Sequence, residues 1–246
     1  MRYLVSVAAL AAVLGAAPAK ADIICEWMDF AARTQTAAAP SGPGAPAGLT
    51  GEHERAQTQV ALAMFEALNA IDRRYQSYLG FPQAPAGASQ EAAAATAAYH
   101  VLLSHFPSQK TAIEESYAMA MQGVTDDAAR EAGRKVGADA AAAALKAGVV
   151  DPAIAPTPYL PQAPVGVWVP TALPVFSPSY MVLKPWIIGR ADAVRPGPPP
   201  ALTSERYARD LEEVKRIGGK KSDARTPHQT LMARYRITPD MMPALR

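Results

Sequence analysis

The chain has 246 residues, half of them hydrophobic, with 24 basic residues, 22 acidic ones and a single cysteine. That length can bury a real core, as one large domain or two small ones, and one cysteine excludes an internal disulfide. The near-balance of charge argues against nucleic acid as a partner, because binding a phosphate backbone relies on a basic footprint.

Residues 1–21 read as an export signal. Arg2 gives the positive start, Leu4 to Leu14 is an apolar run too short to span a bilayer, and Ala19-Lys20-Ala21 fits a small-x-small cleavage site. Ile24 stands where a lipoprotein site before Cys25 would want a small residue. Removing Arg2 and Lys20 lowers the basic count to 22, equal to the acidic count, so the apparent basicity belongs to the signal. The expected product is exported, periplasmic or extracellular. After signal cleavage no apolar run of membrane-spanning length remains.

Residues 22–148 read as an N-terminal helical bundle. Asp22 to Arg33 is a short amphipathic helix with Ile23, Ile24, Trp27 and Phe30 at helical spacing, and Cys25 is expected to be a small buried residue. Ala37 to Thr50 is a loop by composition. Glu52 to Tyr75 carries one apolar stripe, Val60, Ala63, Met64, Ala67, Leu68 and Ile71. Ser89 caps an alanine-rich helix to about Phe106, which Pro107-Ser108 breaks. Gln109 to Gln122 is a further helix, with Ile113, Tyr117 and Met121 spaced by four. Thr125 or Asp126 caps the next, which runs to about Ala147 and stops at Gly148. Its Ala138 to Ala144 run favours helix and close helix–helix approach.

Residues 149–202 form a proline-rich arm. Thirteen of the 23 prolines lie between Asp151 and Pro200, but Tyr159, Trp168, Phe176, Tyr180 and Trp186 are interspersed. A disordered linker would be poorer in aromatics, so the expectation is an ordered wrap with its aromatics pinned to the helical body. Residues 203–246 form a C-terminal helix pair. Thr203-Ser204 caps a helix containing Tyr207, Leu211, Val214 and Ile217, and Gly218-Gly219 ends it. Thr226 caps the last helix, with Pro227 at its first position and Leu231, Met232 and Tyr235 on its apolar side. From Thr203 onward ten basic residues face six acidic ones, an excess that reads as a solvated face. The class is all-α, an antiparallel helix bundle with a long proline-rich irregular arm.

The chain carries no G-x-S-x-G, S-x-x-K or H-E-x-x-H. Gly218-Gly219-Lys220-Lys221-Ser222 lacks the earlier glycine of a phosphate loop, since Val214 stands there. His100 and His105 lie five apart, on different faces of one helix, so they do not form a zinc pair. Glu114-Glu115 and Asp126-Asp127 sit near helix starts, where they favour the helix dipole.

Several segments in order resemble the N-terminal half of the bacterial vanadium-dependent haloperoxidase-like proteins, of the phosphatidic acid phosphatase type 2 superfamily. They are Met64-Phe-Glu-Ala-Leu-Asn-Ala-Ile-Asp72, the alanine-rich Ala92 to Gln109, and Gly166-Val-Trp-Val-Pro-Thr171. Arg195-Pro-Gly-Pro-Pro-Pro-Ala-Leu-Thr203 follows, and then Tyr207 to Thr230 with its Arg225-Thr-Pro-His-Gln-Thr230. The resemblance implies an all-helical fold and, for a complete member, vanadate or phosphate bound between helices, with peroxide-dependent halide oxidation or phosphate ester hydrolysis. Its Lys…Arg-Pro, Pro-Ser-Gly-His and Ser-Arg…His elements come after the Arg-Thr-x-x-Gln-Thr helix. Here 16 residues follow Thr230, and ten residues separate Lys184 from Arg195-Pro196 where the motif has six. Ala233-Arg-Tyr-Arg-Ile also departs from the family's Ala-x-Phe-Trp.

No catalytic, cofactor-binding or metal-binding residue is therefore assigned. The expectation is a chain ending before the catalytic half, inactive alone, self-associating or completed by a separate chain. The alternative is a non-enzymatic helical scaffold or binding protein of the cell envelope.

Overall fold

The computed structural model describes residues 22–38, 51–148, 165–169, 184–189 and 191–237. The export signal 1–21, the loop 39–50, Tyr159, Phe176, Tyr180 and the prolines after Ile237 lie outside them. Among the described residues all regular structure is helical: α1 Ile23–Ala38, α2 Gly51–Ile71, α3 Gln90–His105, α4 Lys110–Gln122, α5 Asp127–Ala147, α6 Glu205–Ile217 and α7 Pro227–Ile237. Short 3-10 turns occupy Pro107–Gln109 and Ala191–Val194. The chain divides into two units; α1 to α5 belong to the first, and the arm with α6 and α7 belongs to the second.

In the first unit α3 is the centre. Its seven residues Ala92 to Ala98 are all buried. Alanine and threonine carry little bulk, so neighbouring helices can approach on every side. The closest is α5. A Cβ placed on Gly133 would lie 2.5 Å from Ser89 O and 2.9 Å from Ala92 Cβ. One on Gly137 would strike Ala93 O and lie 2.8 Å from Thr96 Cβ. The two glycines and the buried Ala140, Ala141 and Ala144 form one small-residue stripe along α5. The pairing also fixes direction, because residues later in α5 meet residues later in α3, so the two run parallel.

The neighbouring helices run the other way. Tyr117 of α4 stacks on Tyr99 of α3 with centroids 4.3 Å apart, and its hydroxyl lies 3.0 Å from Thr96 Oγ1. Gln59, early in α2, meets the C-terminal ends of α3 and α5. Its Nε2 donates to Ala144 O (3.0 Å), one of the carbonyls a helix end leaves without a partner. That fixes Oε1 as an acceptor, so His105 Nε2–H donates to it at 2.7 Å. The helices thus alternate in direction along the chain from α2 to α5.

The ends follow from local chemistry. Ser89 accepts from Ala92 N–H (3.1 Å) and Asp126 Oδ1 from Ala129 N–H (3.0 Å), the two caps expected for α3 and α5. The second helix ends at Ile71 rather than Tyr75, because Asn69 turns the chain. Its Oδ1 accepts from Arg74 N–H and Tyr75 N–H, and its Nδ2 donates to Tyr75 O. Buried Glu66, one turn earlier, accepts from Ser77 Oγ (2.7 Å) and Leu79 N–H (2.8 Å). These two side chains hold the return loop against α2.

Three expectations are corrected. The first helix extends to Ala38, and Cys25 is exposed on it. Trp27, Ala31, Thr34 and Gln35 form the buried side, which Cys25, two residues before Trp27, cannot share at 3.6 residues per turn. Trp168 is 61% exposed, so the pinning expected of the arm's aromatics fails at this residue. Gly218 follows the last residue of α6, as expected, with ordinary right-handed backbone (φ −81°). The stop is made by side chains: Ser222 Oγ donates to Arg216 O, and the Arg225 guanidinium donates to Ile217 O, Gly219 O and Lys220 O.

The remaining caps of the second unit match the sequence. Ser204 accepts from Tyr207 N–H (3.2 Å). Thr226 and Gln229 form a reciprocal capping box, at 2.9 and 3.2 Å, around Pro227 at the first position of α7.

Candidate functional site

The first unit carries a cleft of about 410 Å³ between α1 and α4. Trp27 and Phe30 of α1 meet edge to face, with centroids 5.6 Å apart, and line it from one side. Met119, Ala120 and Val124 line it from the other. Glu26 and Glu91 stand at its rim, and Ser89 Oγ donates to Glu91 Oε2 (3.1 Å). Its one cation, Arg33, is ion-paired with Asp29. The cleft is thus apolar in its floor and acidic at its edge. It holds no histidine, cysteine or paired acid and base, so it suits binding better than catalysis.

A second cluster lies where α3, α4 and α5 meet. Arg134 Nε donates to Tyr117 Oη (3.2 Å), and Arg134 also pairs with Glu131. Tyr117 and Glu131 together raise the guanidinium's pKa. His100 packs edge-on to Tyr99 with centroids 5.0 Å apart. Partial burial, and then the Arg134 charge, lower the His100 pKa. Thr96, Tyr117, Arg134 and Glu131 are thus engaged with one another, and the tyrosine stack closes the cluster from α4.

The residues singled out in the sequence fall apart in space or serve the scaffold. His105 binds Gln59, away from His100 and Tyr99. Glu114 lies 3.7 Å from Lys110 in an exposed pair, Asp126 is a cap, and Asp127 pairs with Arg130. Lys184 and Arg195 are exposed, and Arg195 N–H donates to Asp192 O, closing a 3-10 turn. Lys220 and Lys221 are exposed after the end of α6. No group of three or more metal-ligating side chains occurs among the described residues. An oxyanion such as vanadate needs several cationic side chains converging in a dry site. The cation inside the Arg-Thr-x-x-Gln-Thr motif, Arg225, is instead occupied by three carbonyls, so this set does not fit that group.

Sequence reasoning missed Gln59, Glu66, Asn69 and Arg225. The signal for Asn69 was available: a turn-forming amide at the end of a clear apolar stripe. Gln59 and Glu66 carry no such signal, because their partners are 46 and 11 residues away. No helix among the described residues is long and apolar enough to cross a membrane. Comparison with family models, curated proteins and solved structures gives no match.

Proposed function

We propose that this chain is an exported, non-catalytic helical protein related to the N-terminal half of the vanadium haloperoxidase-like proteins. It contributes scaffold and binding surface, and no oxyanion chemistry. One observation carries the reading. The polar residues on which the resemblance rests are engaged in shaping the backbone. Asn69 turns the chain after α2, Arg225 closes α6, and Thr226 with Gln229 opens α7. Their hydrogen bonds go to the chain's own backbone, with Arg225 spending both terminal nitrogens on carbonyls.

The scaffold component has its own support in the second unit. Leu211, Val214, Leu231, Met232 and Tyr235 are exposed apolar residues on α6 and α7, a pattern that marks interaction surfaces. The expected outcome of a calorimetric titration of the full chain with orthovanadate, and then with inorganic phosphate, is no saturable heat. Saturable tight binding of either anion would overturn the reading.

A further inference from the structure

We propose that α6 pairs with α6 of a second copy of this chain, side by side and parallel, along the seam Tyr207, Leu211 and Val214. Such a pairing rests on the scaffold reading in one respect, that the exposed apolar face of the second unit is an interaction surface. It names the partner of that face.

The face is narrow. Leu211 and Val214 are 44% and 63% exposed, and Tyr207, partly buried, shares their side of the helix at a spacing of four and then three. With Leu211 at position a of a heptad, Tyr207 and Val214 fall at d. Every b, c and f position of α6 is then charged: Glu205, Arg206, Arg209, Glu212, Glu213 and Arg216. Ile217, at g, lies beside the seam and is already partly buried. A helix covering a broad core carries a wider apolar stripe, whereas a seam of a and d positions is the mark of a helix that meets one other helix.

Charge selects the partner and its direction. Asp210, at g, flanks the seam on one side, and Lys215, at e, flanks it on the other. In a parallel pair each g residue faces the e residue five places later in the other helix. Asp210 of each copy therefore meets the partner's Lys215, twice by symmetry. In an antiparallel pair g faces g and e faces e. Asp210 would then flank the partner's Ile217, and Lys215 the partner's Ala208, so neither charge would be answered. Pairing with α7 answers only one of them, because no acidic residue lies between Pro227 and Ile237 to meet Lys215. Within α6 the two charges make only exposed contacts, Asp210 with Arg206 at 3.8 Å and Lys215 with Glu212 at 2.8 Å. Such surface pairs contribute little and exchange readily.

The helix is also formed in advance. Ser204 caps its start, and Ser222 and Arg225 hold its last carbonyls. Pairing therefore does not have to nucleate it. Thirteen residues span about 20 Å, so the contact is small and the pair dissociates on dilution. A two-fold axis along the helices relates the copies, and the contact closes without further growth.

The test uses the full chain in a Cys25→Ser background, so that the native thiol cannot compete. Leu211→Cys, Val214→Cys and Arg209→Cys are prepared singly. In a parallel pair a faces a and d faces d, so mild oxidation at high concentration is expected to link the first two variants each to itself. Arg209→Cys, on the outer face, is expected to give only the background of random collision. Light scattering of the parent chain is expected to show a monomer–dimer equilibrium that shifts with concentration. Asp210→Lys should move it toward monomer, and adding Lys215→Asp should move it back, with helical circular dichroism unchanged. Four results would each overturn the proposal: a parent chain that is monomeric at every concentration, Arg209→Cys linking as well as the seam variants, mixtures of the seam variants that link 211 to 214 in preference to like with like, or a dimer indifferent to Asp210→Lys. The titrations with orthovanadate and phosphate do not depend on pairing, so failure here leaves the non-catalytic reading to its own test.

Discussion

His100 is the residue whose chemistry reports most directly on its surroundings. It lies on α3 against the Tyr99 ring, and partial burial, reinforced by Arg134, lowers its pKa below 6.5. The folded state therefore prefers the neutral imidazole, while the unfolded chain titrates at the ordinary value. Below about pH 6.5 the unfolded chain binds the extra proton first, so stability falls as pH drops through that window until the folded form is protonated too. Urea midpoints compared between about pH 7.5 and about pH 5 should fall less for His100→Gln than for the parent chain. Equal falls would show that His100 does not contribute. The position of His100 was legible in the sequence only as a negative, since a spacing of five separates it from His105. Its electrostatic environment was not legible, because the Arg134 charge comes from a helix more than thirty residues away. Cys25 shows the converse error. Its residue type favours burial, but the phase of α1, set by Trp27 and Ala31, places it outside.

At the level of elements, the contact between α3 and α5 decides the bundle. Ordinarily Gly→Ala in the middle of a helix stabilises by about 1 kcal/mol, through propensity alone. At Gly137 the sign should reverse. The added methyl would meet Ala93 O, with Thr96 Cβ at 2.8 Å and Ala97 N at 2.9 Å, and these are backbone or short side-chain atoms that cannot swing away. Overpacking of this kind costs about 1–3 kcal/mol, so Gly137→Ala should lower the free energy of unfolding in urea. Ala142→Gly, at an exposed position of the same helix, should cost only the propensity term of about 1 kcal/mol. A stabilised Gly137→Ala chain would mean that α3 and α5 are farther apart than described. This contact was half legible. The alanine run announced close packing, but alanine has no periodicity strong enough to show that α3 is buried all round. Helix starts were read well, because Ser89, Asp126, Ser204 and Thr226 act on their own next turn. Tyr207, Leu211, Val214 and Ile217 of α6 recur at helical spacing, yet Leu211 and Val214 are exposed. Spacing tells which residues share a side of a helix, and it does not tell what covers that side.

For the whole molecule, every buried side chain among the described residues lies between Trp27 and Ala144. The larger segment of the second unit begins at Gly148, where the alanine-rich composition gives way to proline. Cooperative unfolding needs a shared core, and among the described residues that core lies in the first unit. Helices of 13 and 11 residues, such as α6 and α7, are marginal in water when they bury little of their own surface. The two units should therefore lose structure separately. Far-ultraviolet circular dichroism of the full chain, at a protein concentration low enough to exclude association, should show a gradual loss of helix followed by one sharp transition. A fragment of residues 22–148 should show only the sharp step, at the same midpoint, because it retains every core residue and both glycines of the α3–α5 contact. Hydrogen exchange should agree, with amides of α3 and α5 protected to the full unfolding free energy and those of α6 and α7 exchanging through local opening. A fragment that is unfolded, or that melts far below the full chain, would show that the second unit supplies stability the bundle lacks.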